Sequence, residues 1–172
     1  MKRLLLVGYL FACAALAQAE DFRVTLEPRR TGLKPAARAA GDEGAAFALF
    51  QTWSGEVKIE NIGRLPSGPL QCKYILYVKR QDLGGKLGED KVEEVTGEFE
   101  VSPLKRGGSF SASTSEVKLL QKSVAPGYYI KGGGLTKSND SVWGVWVKVF
   151  SGGSQVAEFM NPLSLKAKFQ WN

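Results

Sequence analysis

Apolar and polar residues alternate with a period of two through most of this chain. Phe22, Val24 and Leu26 alternate with Arg23, Thr25 and Glu27. Near the other end Leu163, Leu165, Ala167, Phe169 and Trp171 alternate with Ser164, Lys166, Lys168 and Gln170. Successive side chains of an extended strand point to opposite faces, so both runs predict half-buried strands. Further strands are expected over 47–53, 56–62, 70–80, 91–101, 107–113, 127–131, 141–150 and 154–160. The stretches "RLPSG", "DLGGKLG", "PLKRGG", "VAPG", "GGGLTKSND" and "SGGS" punctuate them as turns. Many short strands separated by Gly and Pro predict an all-β fold, an antiparallel β-sandwich. Two stretches break the pattern. Residues 28–46, "PRRTGLKPAARAAGDEGAA", lack bulky apolar periodicity and are expected to form an irregular N-terminal arm or long loop. Residues 113–122, "STSEVKLLQK", fit one short helix opened by a Ser113–Glu116 capping box, and fit a strand equally well.

The strand 141–150 holds the main candidate for function. Trp143 and Trp146 are three residues apart, so an uninterrupted strand sends them to opposite faces. Trp143, Val145, Val147 and Val149 then face the core, leaving Trp146 and Phe150 outside. A two-residue turn at Gly152-Gly153 sets Trp146 opposite Phe159 and Phe150 opposite Gln155. Ile75 and Tyr77 join them if their strand lies alongside. Trp146, Phe150, Phe159, Tyr77 and Ile75 are therefore the candidate interaction patch. The same register puts Glu158 on the core face, which is unfavourable; a longer turn, or a marginal position beside a lysine, would relieve it. Burying one such aromatic ring stabilises by roughly 2–3 kcal/mol, so the patch calls for a cover. Three are expected: the 28–46 arm or the 113–124 segment from within, a second copy of the chain, or a sugar ring stacked on Trp146.

The chain opens "MKRLLLVGYLFACAALAQAEDF". Lys2 and Arg3 precede an apolar run, Leu4 to Leu16, and Ala17-Gln18-Ala19 matches a cleavage site. This predicts a Sec signal peptide over 1–19 and an exported single domain over 20–172, in the periplasm, secreted or held at the cell surface. Lipid attachment at Cys13 is the alternative. No run is long enough to expect a transmembrane segment. Removing the leader would leave 21 basic against 17 acidic residues. With so mild and scattered a charge, no nucleic-acid partner is expected. Cys72 would then be the only cysteine, on the core face of its strand, where a buried thiol is expected rather than an intermolecular disulfide.

Candidate chemistry is sparse. The chain contains no histidine, which removes the Ser-His-Asp triad, Cys-His pairs and nearly all zinc sites. Two carboxylates alone could serve a glycosidase. Glu94, Glu98 and Glu100, however, share one strand face opposite Val95, Phe99 and Val101, as a solvated outer face would. "GGGLTKS" lacks the Gly before Lys137 that a phosphate loop needs, and no D-x-D-x-D-G calcium loop occurs. Arg29, Arg30, Lys34 and Arg38 could meet an anionic glycan, but read first as a hydrated arm. No catalytic residue, metal or cofactor is expected.

The stretch "EVKIENIGRLPSGPLQCKYILYVKR" resembles the B–C region of bacterial immunoglobulin-like domains, especially the cell-adhesion-related (CARDB) domains. Val57, Ile59, Asn61 and Gly63 match an alternating strand followed by Asn-x-Gly; Pro69, Tyr74 and Tyr77 match the strand after it. "VAPGYY" resembles a Pro-Gly-x-Tyr corner with Tyr129 at the tyrosine position, and "VKVFSGGSQVAEFMNP" resembles a closing hairpin. The chain departs from the pattern in the long "GGGLTKSND" insertion and in an added strand segment over 163–172. The export signal, lone sandwich and trailing strand also resemble small immunoglobulin-like proteins associated with type IV pili of gut bacteria. The resemblance implies a non-enzymatic surface module with protein partners, pilus- or adhesin-associated. A homo-oligomer is one such partnership, and binding of host or mucus glycans is the alternative function.

Overall fold

A computed structural model describes residues 21–36, 46–86, 89–127 and 129–171. The expected signal peptide, Cys13 and residues 37–45 of the 28–46 arm, Arg38 among them, lie outside them. The fold is all-β, with two antiparallel sheets packed face to face as a sandwich. The first sheet is built on β3 (Ala46–Asn61), sixteen residues long. One edge of β3 pairs with β1 (Phe22–Arg30) and then β2 (Lys34–Pro35). Its other edge pairs with β6 (Ser109–Ser113) and then β7 (Val117–Val124), which in turn pairs with β8 (Lys137–Asn139). The second sheet runs β10–β9–β4–β5, from β4 (Leu70–Arg80), β5 (Lys91–Val101), β9 (Ser141–Ser151) and β10 (Ser154–Asn161).

Several expectations need correction. The two strands expected over 47–53 and 56–62 are one, because Gly55 is not a turn. It sits within β3 opposite Pro28, where a Cβ would come within 2.8 Å of the Leu26 side chain. The 113–122 stretch forms no helix: β6 ends at Ser113 and β7 begins at Val117, with Val117 and Leu119 alternating into the core. Residues 129–131 form no strand, and Tyr129 is 85% exposed, so the expected tyrosine corner is absent. Where the arm is described it is strand, through Arg30 and again at Lys34–Pro35.

The core lies between the sheets. Trp53, Val57 and Ile59 of β3, with Val117 and Leu119 of β7, meet Cys72, Leu76 and Val78 of β4 and Val145, Val147 and Val149 of β9. Burial pushes the Cys72 thiol up to about 12, leaving it protonated and without a path to a partner cysteine. Two polar groups tie the edges of this core. Asn61, the Asn of the Asn-x-Gly motif, is buried and donates to the Leu65 and Leu104 carbonyls while accepting from the Gly63 N–H. Asp140 accepts from the Gln81 and Leu120 N–H groups and from Arg80, which also donates to the Lys118 carbonyl. Arg80 belongs to the second sheet and Lys118 to the first, so this buried carboxylate clasps the two layers together.

Removing the clasp leaves the part-buried Gln81 and Leu120 N–H groups without their acceptor and takes from Arg80 the partner that joins it to them, leaving it Glu93 and the Lys118 carbonyl. Asp140→Ala is expected to destabilise by about 3 kcal/mol, read as a lower urea midpoint with an unchanged m-value. Asp140→Asn, which keeps one acceptor, should lose less.

Candidate functional site

The outer face of the second sheet gathers an aromatic cluster, Tyr77, Trp143, Trp146, Phe169 and Trp171, though not as an unbroken strand would. Tyr77 pairs with Gly144 and Val78 with Val142, leaving Trp143 as the extra residue of a β-bulge. Val142 therefore turns inward, and Trp143 packs outside with Trp146. Trp143 does not serve the core. A second bulge in β10, between Gln155 and Ala157, shifts the hairpin register by one residue. The turn itself is the expected Gly152-Gly153, both at positive φ (55° and 83°), as a type I′ hairpin requires. The shift turns Phe159 inward opposite Val147 and sends Met160 outward opposite Trp146. Glu158 moves off the core face.

Of the five expected patch residues, Ile75, Tyr77 and Trp146 come together, Phe159 joins the core instead, and Phe150 stands apart. Phe150 lies under the Lys73 ammonium and lines a cavity of about 400 Å³ with Pro69, Gln71, Glu100 and Pro103. Trp146 is only 3% exposed and Tyr77 fully buried.

Among the described residues their cover is the segment over 162–171, not the 113–124 segment. Pro162 has no N–H to continue β10. The chain instead makes a 3₁₀ turn, Leu163–Ala167, and crosses the sheet face, so the expected strand over 163–172 does not form. Three side chains anchor this segment. Leu165 is fully buried against Gly144, where a Cβ would stand 2.7 Å from its methyl carbon. Phe169 lies 4.3 Å from the Tyr77 ring and meets Trp143 edge-on at 5.7 Å. Trp171 meets Trp146 edge-on at 5.3 Å. A fully buried Leu stabilises by about 1.5–3 kcal/mol, and each edge-on aromatic pair adds about 0.5–1.5 kcal/mol.

Charge completes the cover. The Lys148 ammonium lies over both Trp146 and Trp171, and Lys168 lies over Trp143. Glu158 accepts from Trp146 Nε1 at 2.8 Å and from Lys166 at 2.9 Å, linking β9, β10 and the segment. Burial alone would raise the Glu158 carboxyl, but the Lys166 and Trp146 hydrogen bonds, with the Lys166 and Lys148 charges, outweigh it and hold the carboxyl below its ordinary 4.5. Burial, then the Glu94 charge, pushes the Tyr77 phenol up, and among the described residues its hydroxyl has no hydrogen-bond partner. Trp146, with its N–H held by Glu158 and its ring packed against Trp171 and Lys148, offers no free face to a sugar. A cavity of about 180 Å³ lies between Trp171 and β5, lined by Lys73, Ile75, Thr96, Gly97 and Glu98. Among the described residues no group of acids and cysteine gathers as metal ligands, and no helix is long and apolar enough to cross a membrane.

No protein-family model and no curated protein matches this chain. Solved structures similar to it include a protein from Akkermansia muciniphila, at 12% identity and a TM-score of 0.36 over 87% of this chain and 78% of that one. A structural-genomics target designated SoR45 is similar at 8% identity and a TM-score of 0.32, over 84% of this chain and 88% of that one.

A carboxyl held below its unfolded value contributes stability above that value and loses it as pH falls through the folded one. Acidification below about pH 4.5 should therefore loosen the segment, shifting tryptophan emission to the red before global unfolding. Glu158→Gln, already neutral, should lack that acid-side step. Gly144→Ala should expel Leu165 and lower the thermal midpoint, while Leu165→Ala in the same chain should recover part of the loss.

Proposed function

We propose that this chain is an exported, non-enzymatic interaction module of the bacterial surface that works through protein–protein contacts, in a pilus- or adhesin-associated setting. The observation that supports this most is the open edge at β5. Among the described residues its eleven residues pair with β4 on one side only, and most of them are exposed. Such an edge offers a ladder of backbone donors and acceptors to an incoming strand.

The side chains of β5 bear on which strand it takes. Glu94, Glu98 and Glu100 stand on its outer face, with Glu93 near its start. Like charges set opposite one another disfavour pairing of β5 with β5 of a second copy. A basic partner strand would meet complementary charge instead, and this is the class of partner we expect. The glycan alternative loses its stacking residue, because Trp146 is covered.

The test is capture of partners by the full chain from the native cell surface, followed by carboxyl–amine cross-linking. Cross-links from Glu94, Glu98 or Glu100 to lysines of a captured protein are expected. Partners cross-linked only elsewhere, binding on a glycan array, or turnover of chromogenic glycosides or esters would each overturn the reading.

A further inference from the structure

The segment over 162–171 is held to the sheet in an unusual way. Its backbone hydrogen bonds stay within itself: Leu165 and Phe169 donate to the Pro162 and Leu165 carbonyls, and Lys168 also donates to Leu165. Among the described residues none of its backbone groups bonds to a strand. Docking rests on Leu165, Phe169, Trp171 and the Lys166–Glu158 pair. The face beneath is shaped for these side chains. Gly144 leaves the hollow for Leu165, and the bulged Trp143 supplies a wall for Phe169. Thus β4 and β9 form a receptor for a Leu-x-x-x-Phe-x-Trp peptide, and the chain carries that peptide itself.

We propose that this pair is exchangeable, so that residues 162–171 of one copy dock on the β4–β9 face of a second copy. Every copy carries both halves, so reciprocal docking closes a two-fold dimer. The exchanged and closed forms bury the same anchors, and the balance between them is set by chain concentration and by the connection at Asn161–Pro162. That connection departs from β10, which pairs with β9 alone and lies at the sheet edge. Release therefore breaks no strand ladder in either copy. The inference is independent of the β5 reading: exchange uses a different face and needs no other protein.

The test uses the full chain. Light scattering across a wide concentration range should show a monomer giving way to a dimer. In the dimer fraction, a mixture of isotope-labelled and unlabelled chains should show intermolecular nuclear Overhauser contacts between Leu165 and Gly144, and between Trp171 and Trp146. Trp171→Ala removes the same anchor from both forms, so it should speed the exchange of labelled chains between dimers at least threefold while leaving the sandwich folded by circular dichroism. A chain that stays monomeric throughout, or a dimer in which these contacts remain within one copy, would overturn the exchange.

Discussion

The outer face of the second sheet depends on one constraint: both strands of the closing hairpin carry an extra residue. The bulge at Trp143 puts two tryptophans on one side, and the bulge between Gln155 and Ala157 brings Glu158 out to meet one of them. Without the first, Trp143 would compete for space in a core already filled by Val145, Val147 and Val149. Without the second, a carboxylate would lie between the sheets and Phe159 would lie outside. A slip of one residue in a strand reverses every side chain beyond it. Two slips, one per strand, therefore determine which aromatic residues the C-terminal segment has to cover.

The sandwich could be read from the chain because alternation marks half-buried strands directly. Strands β4, β5, β9 and β10 fall where the periodicity places them, and the Gly152-Gly153 turn is where the hairpin signal lies. The buried thiol of Cys72 follows from the same parity. The errors in the 141–160 hairpin share a cause: periodicity assumes an unbroken strand. Glu158 on the core face was the visible symptom of a shifted register, and Gly144 amid aromatic residues marked a close approach. The C-terminal cover was harder to see. Leu165, Phe169 and Trp171 have a strand's spacing, yet Leu163 and Ala167, in the same series, are exposed. Only the docked path separates the anchors from the spacers.

Polar groups at the seams do as much to define the sandwich as its apolar filling. Asn61 fastens the loop after β3, and Asp140 joins backbone from both layers through Arg80. Both are buried and well supplied with partners, the condition under which a polar group fixes one arrangement among several of similar packing. The same contrast separates the two surfaces of the second sheet. Its covered face is closed by rings and methyls, whereas its β5 edge, among the described residues, pairs on one side only and carries a row of acids.

The C-terminal segment carries two kinds of protection that ordinarily travel together and here come apart. Its side chains are shielded by the sheet, while its amide protons lack the ladder that slows exchange with deuterium in a strand. The amides of Gln170 and Trp171 should thus exchange on a much shorter timescale than those of β4 and β9 directly beneath, even while Phe169 and Trp171 stay packed. Backbone labelling alone would make this stretch look like a loose tail, when it is the cover over Tyr77, Trp143 and Trp146.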